Sequence, residues 1–221
     1  HFEATVTPTL RATSTPATVV TSIGAVTSND VGKRLSLEGR VVDAASFSHG
    51  FSFTLDDGTG QIVLLMWHNV YDDCWDRANI NLGALVRASG EIGDYEGRLQ
   101  IEPRFGGEVK VHEPATHQAP RREISSLTAE DEGKRVMVEG EVVRTEGLAS
   151  AVKVLVRDVD SAGQGEIMVF IWRNVLDRIT DNVGLGTPGS RVRVAGRVQV
   201  YRSNLELVPP LPNDVAVLEM P

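Results

Sequence analysis

Arg191, Arg193 and Arg197 fall on alternate positions of the stretch RVRVAGRVQV, interleaved with Val192, Val194, Val198 and Val200. Successive side chains of a strand point to opposite faces, so the valines claim the core and the arginines line up outside it, with Arg202 at the following turn. Such a row can track a phosphate backbone through the planar guanidinium fork. It serves equally as a solvated face paired with Glu206 or Glu141. No catalytic constellation competes with it. The five histidines, His1, His49, His68, His112 and His117, are scattered, and neither an HExxH-like spacing nor a Cys cluster occurs. No glycine-rich loop opens a helix as a phosphate cradle, and Asp56, Asp57 and Asp94 sit in runs suited to turns. The reading is of a non-catalytic binding module with no cofactor and no metal.

The elements that must position these groups radiate from the stretch between residues 50 and 67, GFSFTLDDGTGQIVLLMW. Phe51, Phe53 and Leu55 alternate with Ser52 and Thr54, the pattern of a half-buried strand, and DDGTG supplies a hairpin turn. The next strand, residues 62–67, is apolar throughout, as in a curved sheet that closes on itself. Core roles are expected for Phe51, Phe53, Trp67 and Trp172. Before it comes a strand over residues 35–43 with Gly39 at a bend or bulge, then a loop of small residues, 44–50. After it, Asn69 and Asn174 are placed to cap one short helix in each half, and two more strands follow.

The unit occurs twice. Lys33-Arg34 matches Lys134-Arg135, Trp67 matches Trp172, and Gly90 and Tyr95 match Gly196 and Tyr201. A period near a hundred residues means two similar domains rather than a solenoid. The expected division is a Thr/Pro-rich tether at 1–21, one domain at 22–113, a linker at 114–121 and a second domain at 122–221. The tether suits an exported or cell-envelope protein as well as a cloning remnant. The chain has 221 residues and a net charge of −8; residues 22–113 hold 8 Lys+Arg against 14 Asp+Glu, and residues 121–221 hold 13 against 15. Neither half is broadly basic, so a polyanion site must be local. Cys74 is the single cysteine, which excludes an internal disulfide.

Five strands with a helix between the third and fourth is the order of an OB-fold barrel, and the fold class is all-β: two tandem five-stranded OB-fold barrels. The motifs Glu38-Gly39-Arg40-Val41, Phe53-x-Leu55-x-Asp57-Gly58-Thr59-Gly60-x-Ile62 and Gly90-x-Ile92-x-x-Tyr95-x-Gly97-x-Leu99-x-Ile101 resemble the tRNA-anticodon/helicase-type nucleic-acid-binding OB-fold family. The second repeat departs at Asp158 to Gly165 and after Tyr201. The resemblance implies a groove across strands two and three, flanked by the loops between strands one and two and between four and five. It implies Phe47, His49 and Tyr95 as stacking or contact groups, beside Phe51 and Trp67, with Arg40, Arg98 and Gln100 near the same edge. The second half then adds Arg191, Arg193, Arg197 and Arg202. Single-stranded DNA or RNA is the implied partner, and a protein-interaction or scaffold module is the alternative.

Overall fold

The computed structural model describes residues 19–115, 119–159 and 165–221. The tether lies outside the described residues up to residue 18, as do 116–118 of the linker and 160–164 of the second central turn. The first repeat forms β1 (Arg34–Phe47), β2 (Gly50–Asp56), β3 (Gln61–Trp67), α1 (His68–Asp73), β4 (Leu85–Tyr95), β5 (Arg98–Glu102) and β6 (Val109–Glu113). The second repeats it as β7 (Arg135–Gly147), β8 (Ala151–Arg157), β9 (Glu166–Trp172), α2 (Arg173–Leu176), β10 (Arg191–Tyr201), β11 (Asn204–Val208) and β12 (Val215–Glu219). Among the described residues no helix is long and apolar enough to cross a membrane.

Each sheet closes into a barrel. β1 pairs with β2 on one side and β4 on the other, β3 runs parallel to β5 through Val63 and Leu64, and β5 returns to β4. β7 to β11 repeat this circuit. The period-two pattern does the sorting: Phe51, Phe53, Leu55, Ile62, Leu64 and Met66 are buried, and Val154, Val156, Ile167, Val169 and Ile171 replace them in the second barrel. Both barrels carry a strand beyond the expected five. β4 is eleven residues long and β5 covers only its second half. Its first half would show unpaired backbone groups, and β6 pairs there and buries Val109. β12 serves β10 in the same way.

Local readings differ from the expectation in three places. β1 continues through the small residues to Phe47, so only Ser48 and His49 turn the chain where a longer loop was expected. The bulge falls between Val41 and Asp43, leaving Gly39 in register opposite Val86. Asn69 and Asn174 do not cap their helices; Trp67 and Trp172 hold the cap positions, and the asparagines lie within the first turn. That leaves the Asn174 amide free to reach the other barrel, where it donates to the Phe47 carbonyl at 2.8 Å.

Further bonds join the barrels. Arg178 donates to both Asp72 carboxylate oxygens at 2.6 and 2.7 Å. Asn81 donates to Asp214 at 2.8 Å and accepts from Arg135 at 3.1 Å, entering an ion pair whose two members belong to the second repeat. Asn213 donates to the carbonyls of Ala78 and Ile80 at 2.9 and 3.1 Å, and Arg197 pairs with Asp43. These contacts fix the faces of the two barrels relative to each other.

Candidate nucleic-acid interface

With Ile62, Leu64 and Met66 turned inward, β3 turns Val63, Leu65 and Trp67 outward. Trp67 is therefore 42% exposed, which corrects the expectation of a core role. Its ring meets the Phe47 ring edge-on at 5.6 Å, and its Nε1 donates to Glu102 at 3.3 Å. Gly50 makes this possible: a Cβ there would stand 2.3 Å from the Met66 carbonyl oxygen and 2.8 Å from the Phe47 ring. The tight turn also carries His49, exposed and bonded through Nδ1 to the Ser48 hydroxyl at 2.6 Å. Tyr95, 64% exposed, and Arg98 flank the two-residue turn Glu96-Gly97 at the other end of the face. Both turn residues have positive φ, 52° and 76°, the left-handed pair that suits a hairpin to the strand twist. Phe51 and Phe53 are fully buried, as expected.

The second barrel presents an equivalent face. β9 turns Met168, Phe170 and Trp172 outward, and Trp172 is again 42% exposed, so the core role expected of it is corrected too. Phe170 and Trp172 meet edge-on at 4.9 Å. Lys153, outward on β8, places its ammonium 5.8 Å from the Phe170 ring centre and 5.5 Å from that of Tyr201. A buried carboxylate holds it there: Glu206 pairs with Lys153 at 3.0 Å and accepts from the Gln199 amide at 3.0 Å. Arg202 lies over Tyr201 at 5.2 Å.

The structure separates the four arginines of the expected stripe. All point away from the core, but Arg193 pairs with Glu139 at 2.8 Å, and its hydrogen bond lowers the Glu139 carboxyl. Arg197 is taken by Asp43, and Arg191 opens into a separate cleft with Arg121, Glu123, Glu139 and Asp158. Arg202 alone joins the aromatic face. Arg40 is likewise engaged, with Glu113 at 2.5 Å. Four residues of this face escaped the sequence reading: Lys153, Phe170, Tyr201 and Arg173. Phe170 and Tyr201 could have been found, since inward Ile167, Val169 and Ile171 force Phe170 out and the repeat pairs Tyr201 with Tyr95. Arg173 carried no local signal. It is exposed, donates to the Leu148 carbonyl at 3.3 Å and has no carboxylate partner among the described residues.

Comparison with known proteins bears on this face. Residues 35–105 match the model of the family described as OB-fold nucleic acid binding domain, tRNA_anti-codon. A 32 kDa subunit of replication protein A from Oryza sativa subsp. japonica is 35% identical over 71 residues, 32% of this chain and 22% of that protein. CST complex subunit STN1 of Arabidopsis thaliana is 30% identical over 86 residues, 31% of this chain and 54% of that protein. The match thus spans about half or less of these relatives. Among solved structures, asparaginyl-tRNA synthetase from Pyrococcus horikoshii aligns at 17% identity and a TM-score of 0.37 over 47% of this chain and 24% of its own. The p204 HINb domain aligns at 14% identity and 0.37 over 81% and 93%. The chain is a tandem of OB-fold domains that resemble the tRNA-anticodon/helicase-type nucleic-acid-binding family, with the family match lying in the first repeat.

Proposed function

We propose that this chain is a non-catalytic single-stranded nucleic-acid-binding module that uses the outer faces of β2–β3 and β8–β9. The observation that carries the reading is the presentation, at equivalent places in both barrels, of exposed aromatic rings: Trp67 and Tyr95 in one, Trp172 and Tyr201 in the other. Exposed rings on this face of an OB barrel stack on unpaired bases, at about 1–3 kcal/mol per base. The description of the matched family, a nucleic acid binding domain, supports nucleic acid as the ligand class. Stacking dominates and charge assists, because Glu102 lies beside Trp67 and Glu206 neutralises Lys153. Arg202 with Arg98 and Arg173 supplies the phosphate contacts.

Tryptophan fluorescence tests this directly, since Trp67 and Trp172 lie on the proposed face. Titration with oligothymidylate and oligouridylate is expected to quench emission, with affinity falling as salt rises. Two or three phosphate contacts correspond to a log–log slope of roughly −1.4 to −2.1. No quenching and no binding at low salt by any single strand overturns the reading and transfers the aromatic faces to a protein partner.

A further inference from the structure

The two faces meet. A cleft of about 430 Å³ lies at the seam between the barrels, with Ser46, Phe47 and Ser48 on one wall and Ser150, Trp172 and Arg173 on the other. Phe47 is the ring that packs on Trp67, and Trp172 is the ring that packs on Phe170. The aromatic run is therefore continuous: Trp67, Phe47, the cleft, Trp172, Phe170 and, across Lys153, Tyr201. We infer that the seam cleft is itself a nucleotide subsite, holding the segment of one strand that crosses from the first barrel to the second, with a base against Trp172 and its phosphate on Arg173. This rests on the nucleic-acid reading above.

The absence of carboxylates sets this cleft apart. Four other surface clefts include carboxylates: Glu91 and Glu102 beside Trp67, Glu38 with Asp56 and Asp57, Glu123 with Glu139 and Asp158, and Asp214. The seam cleft is lined by three serines, two aromatics, an asparagine and an arginine, and by no carboxylate. On a chain of net charge −8, a cleft walled without carboxylates offers a polyanion a passage with little local repulsion. Serine hydroxyls on both walls add hydrogen-bonding capacity suited to phosphate and sugar oxygens, and the volume is within the range of small-ligand sites. The walls are also held in place. Asn174, itself lining the cleft, bonds the Phe47 carbonyl, and Arg178 grips Asp72 behind it. A strand that crosses a fixed seam binds both barrels without the cost of ordering them, so the second barrel adds to affinity as a preorganised site.

The experiment uses the full chain with Ser150→Cys in the cleft wall; the native Cys74 is buried. Alkylation of the new thiol is followed with and without an oligothymidylate of about 20 nucleotides, long enough for two OB faces, while tryptophan quenching reports binding. The bound strand is expected to slow alkylation about tenfold or more. In a second arm, Arg173→Gln is expected to weaken binding of the same strand several-fold and to flatten the salt slope by about 0.7, the loss of one phosphate contact. Quenching that saturates while the thiol stays fully reactive, or an Arg173→Gln chain with an unchanged salt slope, overturns the seam subsite and leaves the nucleic-acid reading standing. Absence of any quenching overturns both.

Discussion

Trp67 and Trp172 separate stability from recognition at the scale of single residues. Both keep 42% of their surface in water, so truncation loses part of a tryptophan's burial and not all of it, and Trp67→Ala and Trp172→Ala are expected to cost about 2 kcal/mol of stability. Phe53→Ala, at a fully buried position, is expected to cost about 3–5 kcal/mol. Chemical denaturation of the three variants checks the contrast, and losses for the tryptophans matching that of Phe53 would return them to the core. Parity made this legible: a run in which Ile62, Leu64 and Met66 face inward cannot bury Trp67 on the same side. Six consecutive apolar residues hid it, because an apolar residue at a strand end has no polar neighbour to mark its face. Asp57 makes a second prediction. Burial pushes its carboxyl up, but bonds from the Thr59 hydroxyl and the N–H groups of Ile23, Thr59 and Gly60 outweigh this and hold it at about 2, against an ordinary 3.8. A depressed folded-state pKa contributes stability that is present above the unfolded value and lost as pH falls through the folded one. The stability difference between the native chain and Asp57→Asn is therefore expected to shrink as pH falls from about 4 to about 2, a window that urea melts in acid buffers can follow. The turn role of Asp57 could be read from DDGTG; its grip on Ile23, 34 positions back, could not.

At the scale of elements, the hairpin between β10 and β11 departs from its twin. β4 and β5 turn through Glu96-Gly97, whereas β10 and β11 turn through Arg202 and Ser203, at φ 48° and 67°. The register requires left-handed backbone at both positions, and the second barrel fills neither with glycine, asparagine or aspartate. L side chains there carry strain of about 1 kcal/mol or more each. Ser203→Gly is thus expected to stabilise the second barrel by about 1 kcal/mol in a thermal melt while leaving oligonucleotide affinity unchanged. Arg202→Gly is expected to relieve similar strain and to weaken binding, because it removes the cation lying over Tyr201. Equal effects of the two on binding would show that the turn, and not the Arg202 side chain, matters. The sequence showed where this turn departs from the first repeat. That Arg202 belongs to the aromatic face while Arg191, Arg193 and Arg197 do not was beyond it, since those partners, Glu139 and Asp43 among them, come from other strands.

At the scale of the whole molecule, the repeat announces two barrels but says nothing of how they meet, because the meeting depends on side chains that one copy has and the other lacks. Arg178 pairs with Asp72 at a separation of 106 residues, and Asn81 reaches Asp214 across 133. Neither bond has an equivalent within a single barrel. The polar bonds of the seam differ in worth. Asp72 is half exposed, so its pair with Arg178 contributes on the order of 1 kcal/mol despite two short bonds. Asp214 is almost wholly enclosed, and desolvation pushes its carboxyl up; Arg135 and Asn81 oppose this. Removing Arg135 would leave a buried, unpaired carboxylate, at a cost of about 3–5 kcal/mol. Asn81→Ala is milder, because Asp214 keeps Arg135 and Asn213 still bonds the carbonyls of Ala78 and Ile80 in the first barrel. Each barrel closes its own circuit of strands, although the buried apolar side chains of the two form one cluster, so the loss of seam bonds should loosen the coupling between the barrels rather than unfold them. Calorimetry of the native chain is expected to give one cooperative transition, and Asn81→Ala combined with Arg178→Ala is expected to split it into two, one for each barrel. The double variant should retain both aromatic faces and bind short oligonucleotides normally, yet lose affinity for strands long enough to cross the seam. A single undivided transition in the double variant, with long-strand affinity unchanged, would mean that the remaining bonds of Asn174, Asn213 and Arg197 suffice to hold the barrels and that Asn81 and Arg178 do not set their relation.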